Sequence, residues 1–146
     1  MMEFGQTIRY GFDHYFDFRG RCPRSAYWWW TLFALLVAAI AGVLDFTLWD
    51  SGFLSSMISI LLFIPGLSLQ VRRLHDSNLS GKIILLPYLF ILLGGMFLIL
   101  YEVQFLAILA FLVAAAIGIY IFIRCGFFVT DPQENIYGAP LDITQL

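Results

Sequence analysis

The sequence predicts an all-α membrane protein, a bundle of four transmembrane helices. Of its 146 residues, 61% are hydrophobic and only 12% are charged, whereas an average soluble domain carries about 25% charged residues. A small water-soluble globule needs a largely polar surface, which this composition cannot supply. Four apolar stretches each approach the roughly 20 residues that a helix needs to cross a hydrocarbon core. Much of the surface is therefore expected to face lipid.

The four predicted transmembrane helices are 27–48, 53–71, 83–101 and 103–123. Buried strands would be about 4–8 residues long, and the alternation of polar and apolar residues typical of half-buried strands is absent. In lipid, a helix satisfies its own backbone hydrogen bonds, which an open strand cannot do. We interpret 1–146 as a single membrane domain in which 124–146 form a cytoplasmic tail.

The basic residues predict the orientation. They precede the first span, separate the second from the third, or follow the fourth: Arg9, Arg19, Arg21, Arg24, Arg72, Arg73, Lys82 and Arg124. The other two connections contain no Lys or Arg. Because short loops rich in Lys and Arg stay in the cytoplasm, both termini are predicted to be cytoplasmic.

An amphipathic helix is predicted at 3–17. Its apolar residues, among them Phe4, Ile8 and Phe12, recur at helical spacing. Such a helix lies along the membrane interface, although packing against the cytoplasmic loop of the bundle is an alternative. Trp28, Trp29 and Trp30 stand where the first span enters the membrane, the usual depth of an interfacial aromatic belt.

Two helices carry small residues at every fourth position, which lets helix backbones approach closely in lipid. We predict that these two faces pack, either on each other or across a subunit boundary. The residues are Ala34, Ala38 and Gly42 in the first span, and Ala110, Ala114 and Gly118 in the fourth.

Three segments resemble the signatures of a known family. They are FDFRGRCPRSAYWWW (16–30), VRRLHDSNLSGK (71–82) and ENIYGAP (134–140). They are similar to the bacterial inner-membrane family called domain of unknown function 805. The resemblance implies a small multi-pass protein of the bacterial inner (plasma) membrane and no established activity. Two departures are visible, at Lys82-Ile83-Ile84 and at 130–134, so a ligand bound by those loops is expected to differ here.

The signature segments place one group of polar residues at the cytoplasmic membrane rim. One interpretation is topological: the arginines anchor the spans, and Asp76 pairs with one of them. The other is a preformed polar pocket, in which arginine forks bind a phosphate or carboxylate. The candidate ligand-binding or partner-binding residues are Arg21, Arg24, Arg72, Arg73, His75, Asp76, Lys82, Asn135 and Tyr137.

Catalytic and metal-binding signatures are weak. His75-Asp76 and nearby serines supply the residue types of a catalytic triad, but adjacency in a loop does not establish its geometry. With two histidines in the chain and no clustered carboxylates, neither a metal nor a cofactor is expected. Cys22 and Cys125 lie beside basic residues at the cytoplasmic rim, and we expect both to be reduced thiols.

The sequence favours a non-enzymatic inner-membrane module. Its expected partners are anionic lipid headgroups at the cytoplasmic face, a membrane protein or a second copy of the chain, and no nucleic acid is expected. Two alternatives remain: a homo-oligomeric channel or small transporter, and a membrane-embedded enzyme that acts on lipid. Asp45, near the outer end of the first span, is the only acid within the predicted spans, and transporters usually keep ionisable residues at the midplane.

Overall fold

The computed structural model describes residues 1–49, 52–100, 103–130 and 132–142. Within these ranges the helices are α1 (Phe4–Asp13), α2 (Arg24–Leu44), α3 (Phe53–Asp76), α4 (Leu85–Ile99) and α5 (Gln104–Phe127). A π-helical turn, Asp45–Trp49, continues α2, and a short 3-10 helix, Gly81–Ile84, leads into α4. Apart from a single bridge between Asn135 and Gly138, the described residues form no β-structure.

The predicted fold class is confirmed. Four helical stretches are long and apolar enough to cross a membrane: Arg24–Leu48, Phe53–Asp76, Gly81–Ile99 and Gln104–Phe127. The helices are longer than the apolar stretches on the side where the basic residues lie. There α2 begins three residues earlier than predicted, α3 continues to Asp76, and α5 continues to Phe127. Residue 101, the predicted end of the third span, lies outside the described residues.

The N-terminal helix packs against the bundle. α1 contacts both α2 and α3 and buries Thr7, Tyr10 and Gly11. Trp30 of α2 is 4% exposed and lies between Gly11 of α1 and Gly66 of α3. Trp30 is therefore a core residue, not a member of the predicted interfacial belt, because two glycines leave room for its ring.

The two small-residue stripes face different neighbours. Ala34 packs against a cluster that includes Leu62 and Leu69 of α3. Ala110 and Ala114 are buried on α5, and Ala114 and Gly118 line a cavity beside α4. Ala38 and Gly42 are half-buried. Within the described chain, α2 thus presents Ala34 to α3, and α5 presents Ala114 towards α4; packing across a subunit boundary stays a prediction.

Asp45 caps the next helix. Its side chain is buried and accepts hydrogen bonds from the backbone N–H groups of Leu54 at 3.0 Å and Ser55 at 2.6 Å. These are first-turn N–H groups of α3, which have no partner within the helix. Asp45 therefore fixes the connection between α2 and α3 at the end of the bundle opposite the basic residues.

Candidate functional site

The end of the bundle where α2 begins and where α3 and α5 end is called the basic end here. At this end, two consecutive arginines of α3 point in different directions. Arg72 turns towards α1, with its guanidinium 4.6 Å from the ring centre of Tyr10. Arg73 turns towards the end of α5, where its Nε donates to the Cys125 carbonyl at 2.8 Å. Successive residues of a helix project about 100° apart, so one pair of arginines reaches two separate environments.

Asp76 bridges two arginines from different parts of the chain. Arg21, in the segment before α2, donates from Nε and Nη2 to Asp76 Oδ1 at 2.9 and 2.8 Å. Arg73 donates from Nη1 to the other carboxylate oxygen, Oδ2. The side chains of all three residues are at most 1% exposed. Charge-assisted contacts from two arginines to one buried carboxylate thus connect the segment before α2 to α3.

Backbone carbonyls accept hydrogen bonds from other N–H groups of the same two guanidinium groups. Arg73 Nη2 donates to the carbonyl of Phe128. Arg21 Nη1 donates to the carbonyl of Gln133 at 2.6 Å and to that of Gly138 at 3.2 Å. The last carbonyls of a helix have no partner within it, and cations there are favourable. Arg73 therefore caps the end of α5, and Arg21 holds the C-terminal tail.

The tail folds back over His75. The Tyr137 ring stacks on the His75 ring at 3.8 Å with an angle of 3° between the planes. Asn135 Nδ2 donates to the His75 carbonyl at 2.9 Å, and the Asn135 side-chain oxygen accepts from Tyr137 N at 2.9 Å. Gly138 has φ 105°, a conformation that favours glycine because a Cβ would clash. The segment Asn135–Gly138 is thus a tight turn docked on α3.

His75 takes no part in a catalytic triad within the described chain. Its Nδ1 is 3.1 Å from the Gly20 carbonyl. Because a carbonyl oxygen only accepts, Nδ1 carries the proton in this contact. Asp76, the sequence neighbour, is committed to Arg21 and Arg73. The pair His75-Asp76 therefore fixes backbone segments in this structure.

Arg72 belongs to a second, separate contact set. Its Nη2 donates to the Ser68 hydroxyl at 3.1 Å, and that hydroxyl lies 2.6 Å from the Asp17 carbonyl, to which it donates. The backbone carbonyl of Arg72 accepts from Cys22 N at 3.2 Å. Burial raises the pKa of Tyr10 beside it, and the positive charge of Arg72 partly offsets that effect. Arg72 thus holds α1 and the following turn against α3.

Both thiols are fully buried at the basic end. Burial raises the pKa of Cys22 to about 12, although Arg72 and Arg73 nearby act in the opposite direction. A protonated, buried thiol is unreactive, since the thiolate is the nucleophile. Cys22 and Cys125 are free cysteines, which agrees with the expectation of reduced thiols.

Two predicted site residues lie outside the buried network. Arg24 and Lys82 are exposed, and within the described residues neither side chain makes an ion pair or donates a hydrogen bond. The backbone N–H of Lys82 donates to the Ser80 hydroxyl at 3.4 Å. Arg19 is a further exposed cation at this end. The structure therefore brings Arg21, Arg73, His75, Asp76, Asn135 and Tyr137 together, places Arg72 in the neighbouring set, and leaves Arg24 and Lys82 facing outwards.

A groove of about 630 Å³ runs beside Arg24. Its floor is the face of α2 that carries Ser25, Trp28, Trp29 and Leu32, spaced as one face of a helix. Met1 and Pro23 line it from the N-terminal part of the chain, and Val129 and Thr130 from the C-terminal part. Sequence reasoning assigned the tryptophans to an interfacial belt and did not find this groove, because its walls come from the two ends of the chain.

A comparison with known families supports the resemblance in the signature segments. The family described as "Protein of unknown function (DUF805)" matches residues 15–139. This chain belongs to that family. The match includes the first two signature segments and all but the last residue of the third, so the buried network lies within the family region. The predicted membership is confirmed.

Two curated relatives are inner-membrane proteins of Escherichia coli K12. "Inner membrane protein YhaH" is 34% identical over 96 residues, which cover 62% of this chain and 78% of the relative. "Inner membrane protein YhaI" is 39% identical over 69 residues, 47% of this chain and 58% of the relative. No solved structure matches. The chain is thus a membrane-spanning helical bundle whose relatives are inner-membrane proteins.

Apart from the pairing of Asp76 with an arginine, the partners of the buried arginines were not predictable from the sequence. The described contacts of Arg21 and Arg73 include four backbone carbonyls, those of Cys125, Phe128, Gln133 and Gly138, and Arg72 donates to that of Ser68. Every residue type carries a backbone carbonyl, so residue identity does not indicate such a contact. Ser68 left a weak signal, because it precedes Arg72 by one helical turn and shares its face.

Proposed function

We propose that this chain is a non-enzymatic inner-membrane module that binds an anionic membrane lipid at its cytoplasmic face. The observation that carries the proposal is the separation of its cations into two groups at one end of the bundle. Arg21 and Arg73 are buried and hold the chain together. Arg19, Arg24 and Lys82 are exposed at the same end. The exposed group is available to lipid headgroups.

The proposal places the basic end, with both termini, in the cytoplasm. Arg21 donates to the carbonyl of Gln133, so the segment before α2 and the described part of the C-terminal tail lie at the same end of the bundle. All eight Lys and Arg of the sequence belong to segments at this end. Lys and Arg are retained on the cytoplasmic side during insertion. The cytoplasmic leaflet also carries anionic lipid, which attracts each exposed cation near the surface.

The geometry favours the exposed cations over the buried ones as the proposed lipid contacts. A ligand at Arg21 or Arg73 would have to displace the Asp76 carboxylate and the carbonyls that fill their donor positions. Breaking a buried ion pair costs several kcal/mol, about 3–5 by removal of one partner. Arg24 and Lys82 require no such exchange. Of the candidate residues named from the sequence, Arg24 and Lys82 are the ones we propose as direct lipid contacts. The other candidates hold the basic end in the shape that exposes these two.

The proposal that the chain is not an enzyme draws on the same geometry. His75 is stacked on Tyr137 and bonded to Gly20, and Cys22 is buried. The described residues contain no group of three or more His, Cys, Asp or Glu side chains that could hold a metal ion. The contacts of His75 and Cys22 support a structural role for these side chains.

Lipid retention tests the proposal. The full chain, purified in detergent, is titrated with phosphatidylglycerol and with phosphatidylcholine of the same acyl composition, and bound lipid is counted by native mass spectrometry. We expect tighter binding of phosphatidylglycerol and a decline of that preference as ionic strength rises, because exposed charges are screened by salt. Equal binding of the two lipids would refute the proposal.

A further inference from the structure

The groove beside Arg24 has the dimensions and chemistry of a lipid site. Its volume of about 630 Å³ falls within the range of about 300–1,000 Å³ typical of ligand pockets. Its lining is almost entirely apolar, with Trp28, Trp29, Leu32 and Val129 along its length and Arg24 among the lining residues. An apolar groove with one cation matches an amphiphile that has one anionic group.

Two hydrogen bonds fix the walls of the groove before any ligand arrives. Trp28 Nε1 donates to the Gly126 carbonyl at 2.9 Å, which attaches the first indole to α5. Trp29 Nε1 donates to the Met2 carbonyl at 3.1 Å, which attaches the second indole to the N-terminal segment. Both polar atoms of the rings are therefore satisfied, and the ring faces remain for apolar contact. A preformed groove lowers the entropic cost of binding.

Positive potential is concentrated where α2 begins. Arg24 is the first residue of α2, and the helix has no side-chain hydrogen bond at its N-cap. The first-turn N–H groups of a helix carry a partial positive charge that favours anions. Among the described residues, Arg24 has no hydrogen-bond or ion-pair partner of its own, unlike Arg21 and Arg73. Its guanidinium is free to make a bidentate contact to a phosphate.

The geometry points to one anionic phospholipid in this groove, with its phosphate on Arg24 and an acyl chain along Trp28, Trp29 and Leu32. The inference rests on the proposed function and deepens it by naming the site. The depth agrees with such a ligand: Arg24 begins the first membrane-spanning stretch, Arg24–Leu48, and Leu32 lies two helical turns further into the apolar region.

Variants at the groove test the inference in the same titration. Arg24→Ala is expected to lower the affinity for phosphatidylglycerol about tenfold, the effect of losing one charge-assisted hydrogen-bonding group. Phosphatidylcholine, whose choline charge offsets the charge of its phosphate, should lose less affinity than phosphatidylglycerol. Arg24→Lys should retain most of the affinity. Arg19→Ala is the matched comparison, because Arg19 is an exposed cation at the same end that does not line the groove; its loss of affinity for phosphatidylglycerol should be clearly smaller than that of Arg24→Ala.

The acyl chain is tested separately. Leu32→Trp fills the inner part of the groove and should lower the affinity for both lipids. Glycerol phosphate, which has the headgroup without the acyl chain, should not displace bound phosphatidylglycerol. Should Leu32→Trp fail to give the elution volume and unfolding midpoint of the wild type, the glycerol phosphate competition alone decides this point. Displacement by glycerol phosphate would overturn the role of the groove.

The two proposals fail in different ways. Equal losses in Arg24→Ala and Arg19→Ala, or no loss in Arg24→Ala, would overturn the groove and leave a general preference for anionic lipid standing. A wild-type protein without any preference for phosphatidylglycerol would overturn both.

Discussion

Arg21 and Asp76 are 55 positions apart in the sequence, yet Arg21 Nη2 lies 2.8 Å from Asp76 Oδ1 with both side chains removed from solvent. This contact joins the segment before α2 to the end of α3. Because Arg21 also donates to the carbonyls of Gln133 and Gly138, the same side chain ties down the C-terminal tail. The basic end is therefore built around one buried ion-pair network.

Removing the carboxylate of that network should destabilise the protein strongly. Asp76→Ala leaves Arg21 and Arg73 buried without a counter-ion, and we expect a loss of about 3–5 kcal/mol in the free energy of unfolding. The measurement is thermal or denaturant unfolding in detergent. Asp13→Ala is the control, because the Arg9–Asp13 pair is exposed and should contribute less than about 1 kcal/mol. Equal effects of the two variants would contradict the structure.

The close contact between Gly11 and the Trp30 ring should not tolerate a methyl group at position 11. A Cβ at Gly11 would lie 2.3 Å from Trp30 Cζ3, so Gly11→Ala should displace α1 and cost about 1–3 kcal/mol. Gly5→Ala, on the same helix, meets nothing within 4 Å and should be neutral or slightly stabilising, since alanine favours helix by about 1 kcal/mol. Limited proteolysis of α1 measures the difference, and equal cleavage of both variants would refute this docking of α1.

Two adjacent glycines of α4 give a matched pair for the packing of α4 on α5. A Cβ at Gly94 would lie 2.8 Å from Phe111 of α5, whereas one at Gly95 meets nothing within 4 Å. Gly94→Ala should therefore lower the unfolding temperature, by a cost of about 1–3 kcal/mol, and Gly95→Ala should not. The reverse order would show that α4 is rotated relative to α5.

Much of the fold was predictable from the sequence because hydrophobic length alone identifies a membrane span. The positions of the helix ends were not. The predicted second span ends at Val71, since charges follow, but α3 continues to Asp76 and buries Arg72, Arg73 and Asp76 inside the protein. Burial of Arg72 and Arg73 depends on groups distant in sequence, such as Cys125, and no local pattern contains them.

The three signature segments were expected to share one side of the membrane, and in the structure they meet. What the sequence did not reveal is their direct contact, such as that of Tyr137 with His75. The nature of the contact changes the role of these residues: Arg73 was a candidate ligand for an external anion and is instead held by Asp76 and carbonyls. Arg24, a candidate of the same kind, remains available.

The C-terminal tail should detach when its stacked ring is removed. Tyr137→Ala deletes the ring that lies 3.8 Å from the His75 ring, a contribution of about 0.5–1.5 kcal/mol for an aromatic pair beyond area burial. Faster cleavage of the tail by an added protease is the expected result. Ile136→Ala is the control, because Ile136 is 81% exposed. If both variants are cleaved at the rate of the wild type, the tail does not depend on this stack.

Cys22 should resist modification while the protein is folded. Burial raises the pKa of its thiol from 9.0 to about 12, so in a Cys125→Ala background alkylation at about pH 8 should be slow in detergent and fast after unfolding. Above about pH 9 the unfolded thiol loses its proton while the folded thiol keeps it, so stability should fall as pH rises from there towards about 12. Rapid alkylation of the folded protein would contradict this burial.

The placement of the basic end in the cytoplasm is the claim on which the lipid proposals depend, and paired topology reporters test it most directly. Green fluorescent protein and alkaline phosphatase are each fused after residue 142 and, separately, inserted between α2 and α3 in living bacteria. We predict fluorescence without phosphatase activity at the C-terminal site, and phosphatase activity without fluorescence between α2 and α3. The opposite pattern would place the exposed arginines outside the cell membrane and would contradict the account.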